Sequence, residues 1–93
     1  MTINYGSNED WRWDLDTEEV RFVVYDDGTE ILCRVTRECL EDHCGNPQDE
    51  DTCLTAAKEN FDRITDQIGF YVKFGRFDPD GSVLLRTRDW RGQ

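Results

Sequence analysis

The sequence has few basic residues and no long apolar run. Its 93 residues include 11 Lys and Arg against 21 Asp and Glu, which gives a formal net charge of −10. This imbalance argues against contact with bare DNA or RNA phosphates and favours a basic partner. No stretch approaches the roughly 18 apolar residues that cross a bilayer, and the start has neither the basic nor the apolar region of a secretory signal. We therefore expect a cytoplasmic protein, in a bacterium or, if a phage encodes it, in the host.

Motifs that would carry catalysis are also missing. The sequence has no Gly-rich phosphate loop and no Gly-x-Ser-x-Gly elbow. Residues 78–81 match only part of a calcium loop, because Arg76 and Thr87 stand where the full loop needs further acids. We predict a turn there, and a protein with no enzymatic activity, no catalytic residues and no cofactor.

Four cysteines and one histidine offer thiol or metal chemistry: Cys33, Cys39, His43, Cys44 and Cys53. Structural zinc sites usually contain close pairs such as Cys-x-x-Cys, and that spacing is absent here. We expect reduced thiols that act as small core residues and no metal ligand. A metal or thiol sensor built on Cys39, His43 and Cys44 stays open as an alternative, because Cys39 and His43 are four residues apart on a predicted helix.

A β-hairpin is the clearest local feature. Residues 20–25 and 29–36 are rich in β-branched and aromatic residues, and Asp27-Gly28 between them is typical of a two-residue turn. This turn sets a register in which six apolar residues share one face. The expected pairs are Val24–Ile31, Phe22–Cys33 and Val20–Val35. The other face is mixed in character and is either half-covered or a contact surface.

The remaining pattern predicts two helices and two further strands. Thr36 is a suitable N-cap for a short helix over 37–44. One apolar stripe at helical spacing predicts a long amphipathic helix from about Leu54 to Phe74. Residues 11–15 and 82–88 alternate like strands. The sequence therefore predicts a single α+β domain over residues 1–93: a small antiparallel sheet packed against one long helix, with one short helix and residues 1–10 loosely held.

Two segments resemble a known family of small bacterial proteins. They are the strand–turn–strand–helix segment from Val20-Arg21-Phe22 through residues 31–42, and the later Glu59-Asn60-Phe61-Asp62-Arg63-Ile64. The chain is similar here to the family catalogued as domain of unknown function 1488, over roughly residues 19–90. The resemblance implies a small α+β fold, and it supplies no activity and no catalytic residues.

Acidic residues are concentrated in two runs. Residues 9–19 hold six acids against one Arg, and residues 41–51 hold five acids with no Lys or Arg. These runs either form a solvated surface or dock on a basic one, and Trp residues beside them either cap the core or anchor a partner. The predicted partner-binding residues are Trp11, Trp13, Asp14, Asp16, Glu18, Glu19, Glu41, Asp42, Asp49, Glu50 and Asp51. We expect the basic cluster of Arg86, Arg88 and Arg91 to pair with the protein's own acids.

These patterns favour a non-enzymatic binding protein. Its acidic surface would dock on a basic surface of a nucleic-acid-handling protein, with fast and salt-sensitive association. A phage-type inhibitor such as an anti-CRISPR protein fits the size and charge. A housekeeping bacterial adaptor without a link to nucleic acid is the main alternative, beside the sensor described above.

Overall fold

The structure, a computed structural model, describes residues 3–45 and 47–90. The strands are β1 (Ile3–Asn4), β2 (Arg12–Asp14), β3 (Glu19–Asp26), β4 (Thr29–Thr36) and β5 (Val83–Leu85). The helices are α1 (Arg37–His43), α2 (Glu50–Glu59) and α3 (Phe61–Lys73), with short 3-10 helices at Asn8–Asp10 and Thr87–Asp89. The α+β class is confirmed.

The predicted hairpin is confirmed in its register. β3 and β4 pair antiparallel, and the three apolar pairs are those expected, Val24–Ile31, Phe22–Cys33 and Val20–Val35. All six side chains are buried under the helices. Asp27 and Gly28 have φ angles of 51° and 86°, in the left-handed region that this kind of tight turn requires.

The prediction of a wholly antiparallel sheet is wrong for β5. β1 and β2 both pair antiparallel with β3, but β5 runs parallel to β4 at the opposite edge. All three helices lie between β4 and β5 in the chain. A connection of this length can return the chain to the same end of the sheet, which is what a parallel pair requires. The C-terminal strand is also shorter than predicted, because the 3-10 helix at Thr87–Asp89 follows it.

The predicted long helix is divided in two at Asn60. Its apolar stripe is confirmed. Ala57, Ile64 and Ile68 are buried, and the partly buried residues of the stripe that pack against the core are Leu54, Phe61 and Tyr71. Asn60 itself has φ −103° and ψ 27°, and its side-chain amide donates to the carbonyl of Ala56 at 2.8 Å. Asn favours such local side-chain bonds over a continuous helix, and this explains the break.

The N-terminal residues are joined to the rest of the fold. Residues 3–10, which the sequence predicts to be loosely held, contain β1 and a 3-10 helix. β1 pairs with the end of β3, and the Asn8 side-chain amide donates to the Lys58 carbonyl at 3.0 Å. Met1 and Thr2 lie outside the described residues.

The helices cover one face of the sheet, and the other face carries charged residues in rows. Arg12, Arg21 and Arg34 lie directly opposite one another on β2, β3 and β4. Like charges in this arrangement repel, and acids from neighbouring positions compensate them. The compensating ion pairs are Asp14–Arg21 at 3.0 Å, Glu19–Arg34 at 3.7 Å and Asp78–Arg34 at 3.1 Å. Part of the acidic surplus is therefore held by the protein's own arginines.

Across residues 3–45 and 47–90, every helix falls short of the length and hydropathy that a membrane crossing requires.

Substitution of Gly28 tests the hairpin turn. Gly28→Ala places a Cβ on a backbone with φ of 86° and should lower the free energy of unfolding by about 1–2 kcal/mol. Gly28→Asn should cost less, because Asn tolerates the left-handed region. Urea unfolding of both variants measures the difference. Equal costs for Ala and Asn would contradict the role assigned to this φ angle.

Candidate functional site

Parts of both acidic runs meet around a shallow groove of about 480 Å³. One wall is the turn after β2, and the other is the start of α2 with the residues before it. We call this the acidic groove; it is lined by Trp13, Leu15, Glu18, Arg37, Gln48, Asp49, Glu50 and Asp51. Asp16 lies in the same turn and is exposed. The fold thus gathers residues that are more than 30 positions apart in the chain.

The first wall is shaped by Asp14 at the end of β2. Its Oδ1 accepts hydrogen bonds from the backbone amides of Asp16 at 2.9 Å and Thr17 at 3.3 Å. These bonds lower the pKa of Asp14, and the nearby Arg21 adds to the effect. The chain therefore leaves β2 in a tight turn, with the Leu15 side chain 70 % exposed.

The second wall is the capped start of α2. Asp49 accepts a hydrogen bond from the Thr52 amide at 2.8 Å, and the Thr52 hydroxyl accepts one from the Asp49 amide at 2.9 Å. This reciprocal cap fixes the first turn, and its hydrogen bonds lower the pKa of Asp49. Glu50 and Asp51 follow in the first turn and are exposed. Negative charge at a helix N-terminus is stabilised by the helix dipole, so the three adjacent acids lie where their mutual repulsion is partly offset.

Arg37 joins the two walls. Its guanidinium contacts the Glu18 carboxylate at 2.9 Å, the Glu41 carboxylate at 3.3 Å and the Gln48 carbonyl at 2.8 Å. The hydrogen bond that Arg37 donates to the Glu18 carboxylate is the main cause that raises the pKa of Arg37. Glu18 has a left-handed φ of 53°, which is uncommon for this residue type, and its carbonyl also accepts the Arg37 amide at 3.2 Å. Arg37 therefore fixes the groove while leaving it with more carboxylates than cations.

The other predicted partner-binding residues lie away from the groove or beneath the surface. Trp11 is 2 % exposed and stacks on Phe22 with ring centroids 4.1 Å apart. Glu19 is 7 % exposed and is held by Arg34. Neither side chain offers a contact surface, because Trp11 completes the core and Glu19 neutralises an arginine. Asp42 accepts a hydrogen bond from the Thr87 hydroxyl, away from the groove. Glu41 is connected to the groove by its ion pair with Arg37.

The sequence pattern missed Arg37, Gln48 and Leu15 of the groove lining, and Leu15 is its exposed apolar residue. Leu15 continues the alternation of Trp11 and Trp13, which suggests a third inward side chain. β2 ends at Asp14, so Leu15 leaves the strand and its alternation. An Asp whose side chain accepts hydrogen bonds from the amides two and three positions later is a recognised turn signal. Asp14 is such a residue, since it accepts from the amides of Asp16 and Thr17.

A second depression of about 660 Å³ adjoins the groove, since Glu18 and Arg37 line both. Here Glu38 and Glu41 are mixed with Arg86 and Arg88. Arg86 pairs with Asp89 at 3.0 Å, as expected for this member of the basic cluster, and Arg91 lies outside the described residues. The mixed charges make this depression a weaker candidate for contact with a basic partner.

The cysteines do not form a reactive or metal-binding centre in the described part of the chain. All four are buried and free, and no group of three His, Cys, Asp or Glu side chains in residues 3–45 and 47–90 is placed to hold a metal ion. Burial raises the pKa of Cys33 and of Cys39 to about 12. The ring of His43 stacks on Trp90 at 4.7 Å. A thiolate sensor needs an exposed thiol of low pKa, and these thiols have the opposite properties.

The thiols should therefore be unreactive in the folded protein. A chromogenic disulfide reagent at pH 8 should modify Cys33 and Cys39 at least a hundredfold more slowly than a free model thiol, because the thiolate fraction falls with the raised pKa. All four cysteines should react rapidly in urea. Fast modification of Cys39 in the folded protein would restore the sensor hypothesis.

The same burial predicts a loss of stability at alkaline pH. The unfolded chain releases its thiol protons near pH 9, whereas folded Cys33 and Cys39 keep theirs until about pH 12. The free energy of unfolding should thus fall as the pH rises from about 9 toward 12. Urea midpoints across this range measure the slope, and Cys39→Ala should make it shallower. A slope that Cys39→Ala leaves unchanged would contradict this origin.

Comparison with known proteins agrees with the family indicated by the hairpin and helix segments. The family model described as "Protein of unknown function (DUF1488)" matches residues 7–85. The crystal structure of a DUF1488-family protein of unknown function from Shewanella loihica PV-4 is similar in fold, with a TM-score of 0.80, 19 % sequence identity and coverage of 91 % of this chain and 94 % of that chain. No curated protein matches the chain at a significant level. The chain belongs to the DUF1488 family of proteins of unknown function.

Proposed function

We propose that this protein is a non-enzymatic binding protein whose acidic groove docks on a basic surface of a nucleic-acid-handling protein. The observation that carries the proposal is the meeting of the turn after β2 with the start of α2 around the exposed Leu15. The groove lining contains four carboxylates, those of Glu18, Asp49, Glu50 and Asp51, against the single guanidinium of Arg37.

The chemistry of the groove suits this kind of partner. Leu15, with Trp13 half-buried beside it, supplies apolar area for a short-range contact, and apolar or aromatic anchors surrounded by polar residues are typical of interfaces. The carboxylates supply long-range attraction to Lys and Arg, which speeds encounter at low ionic strength. A surface that binds nucleic acid presents such cations along its channel.

The proposed consequence is inhibition. A protein that occupies a cationic channel excludes the nucleic acid that belongs there, and no catalysis by the inhibitor is required. A phage-type inhibitor such as an anti-CRISPR protein is the specific form that we propose. A cytoplasmic location, in a bacterium or in its phage-infected host, is part of the proposal because the partner handles nucleic acid there.

A capture experiment tests the partner class. Tagged protein is incubated with bacterial lysate at low and at high salt, and captured proteins are identified by mass spectrometry. We expect a nucleic-acid-binding protein that is lost at high salt and displaced by excess DNA or RNA. A partner retained at high salt and unaffected by nucleic acid would overturn the proposal, and a salt-sensitive partner unrelated to nucleic acid would favour the adaptor.

Matched charge variants test the groove itself. The double variant Glu50→Gln with Asp51→Asn removes two negative charges from the groove and keeps Asp49, which caps α2. The control Glu59→Gln with Glu30→Gln removes two exposed charges elsewhere. We expect the groove variant to weaken binding to the captured partner about tenfold or more and the control to change it less than twofold, since attraction falls off within a Debye length. Equal effects would show that net charge alone matters and would contradict a defined groove.

A further inference from the structure

The C-terminal end of α3 carries an aromatic patch made of Phe70 and Phe74. Phe74 is 60 % exposed, Phe70 is half-buried, and their rings are in contact, with centroids 4.7 Å apart. Exposed apolar patches mark interaction surfaces.

Basic side chains accompany this patch. Lys73 Nζ lies 5.8 Å from the Phe74 ring centroid, and the Arg76 guanidinium carbon lies 5.7 Å from that of Phe70. These cation–π contacts hold the cations at the patch. The patch thus differs in charge from the acidic groove, and no residue lines both.

A groove of about 520 Å³ adjoins the aromatic patch along α3. It is lined by Ile3, Tyr5, Asp66, Gly69, Phe70, Lys73 and Phe74. Gly69 lets Tyr5 close onto the helix, since a Cβ at Gly69 would lie 2.3 Å from the Tyr5 hydroxyl oxygen. The N-terminal segment therefore forms one wall of a groove whose other wall is the exposed face of α3.

Charge changes sign along this exposed face. Asp62 and Asp66 are exposed on the N-terminal half of α3, eight and four residues before Phe70. Lys73 is exposed three residues after Phe70, and Arg76 follows just beyond the helix end. The face is therefore acidic before Phe70, and basic and aromatic after it.

We infer that the exposed face of α3 binds a second copy of this chain, with the two α3 helices antiparallel and crossing near Phe70. In this arrangement Asp66 of each copy faces Lys73 and Phe74 of the other, and the two Phe70 rings meet at the crossing point. A parallel arrangement would oppose acid with acid and base with base. The antiparallel contact is a closed twofold interface, in which each favourable contact occurs twice.

The proposal does not depend on the acidic groove, because it uses a different set of residues. A dimer through α3 leaves the Leu15 turn and the start of α2 outside its contact, and each copy can keep its own docking site. Failure of one proposal therefore leaves the other standing.

Charge reversal tests the antiparallel geometry. Sedimentation equilibrium at low salt, over a wide range of protein concentration, should show a monomer–dimer equilibrium for the unaltered chain. Asp66→Lys alone and Lys73→Glu alone each create two like-charged contacts and should weaken dimerisation about tenfold or more. The double variant Asp66→Lys with Lys73→Glu recreates the opposite-charge pairs in reverse and should recover most of the loss.

Two further variants control for folding and net charge. Glu30→Lys changes the net charge as much as Asp66→Lys at an exposed site on β4 and should leave dimerisation unchanged. Phe74→Ser removes the more exposed ring of the aromatic patch and should abolish the dimer without loss of helical circular dichroism, because Phe74 is 60 % exposed.

Four results would overturn the inference. They are a monomer at all concentrations, assemblies larger than a dimer, an intact dimer in Phe74→Ser, and a double reversal that fails to recover association although the variant is folded.

Discussion

The register of the β3–β4 hairpin is the constraint on which the rest of the structure depends. It places six apolar side chains on the face that the helices cover, and the same register sets Arg21 directly opposite Arg34. Pairing β2 with β3 then adds Arg12 to the row. Since like charges at this spacing repel, acids at neighbouring positions stabilise the row, and Asp14, Glu19 and Asp78 fill that role. The hairpin therefore determines the core and also where some of the surplus carboxylates must lie.

This division explains why the acidic residues are not equivalent. Asp14 on β2 and Glu19 on β3 are committed to arginines within the sheet, and Glu19 is buried there. The acids in the turn after β2 and at the start of α2 face solvent instead, with Arg37 as the cation between them. Net charge alone would predict one diffuse anionic surface. The pairing pattern instead leaves a group of exposed carboxylates beside Leu15, where an exposed apolar side chain can act together with them.

Local signals in the sequence predict the hairpin, whereas the features that depend on long-range packing could not be predicted from it. The Asp27-Gly28 turn and the apolar alternation set the same register independently, so sequence reasoning reached the correct pairs. The same apolar pattern predicted one helix running through Asn60, because the apolar stripe continues across the break. The Asn60 side-chain hydrogen bond that competes with the helix does not alter the spacing of apolar residues, so the pattern could not reveal it. It also made β5 antiparallel, since strand direction depends on the path of three helices. Trp11 and Trp13 look alike in sequence, and only tertiary packing buries the first and leaves the second beside the groove.

The helix that borders the groove also makes its charge density tolerable. Asp49, Glu50 and Asp51 are adjacent in sequence and close to Glu18, a grouping that would be costly on an irregular segment. At the start of α2 the unpaired amides and the helix dipole offset part of this repulsion, and the reciprocal bonds of Asp49 and Thr52 fix the backbone. These acids can therefore stabilise the helix and remain available to a partner. The solved family member, at 19 % identity, bears on the fold alone, so a docking role for the groove must be judged on the chemistry of this chain's own residues.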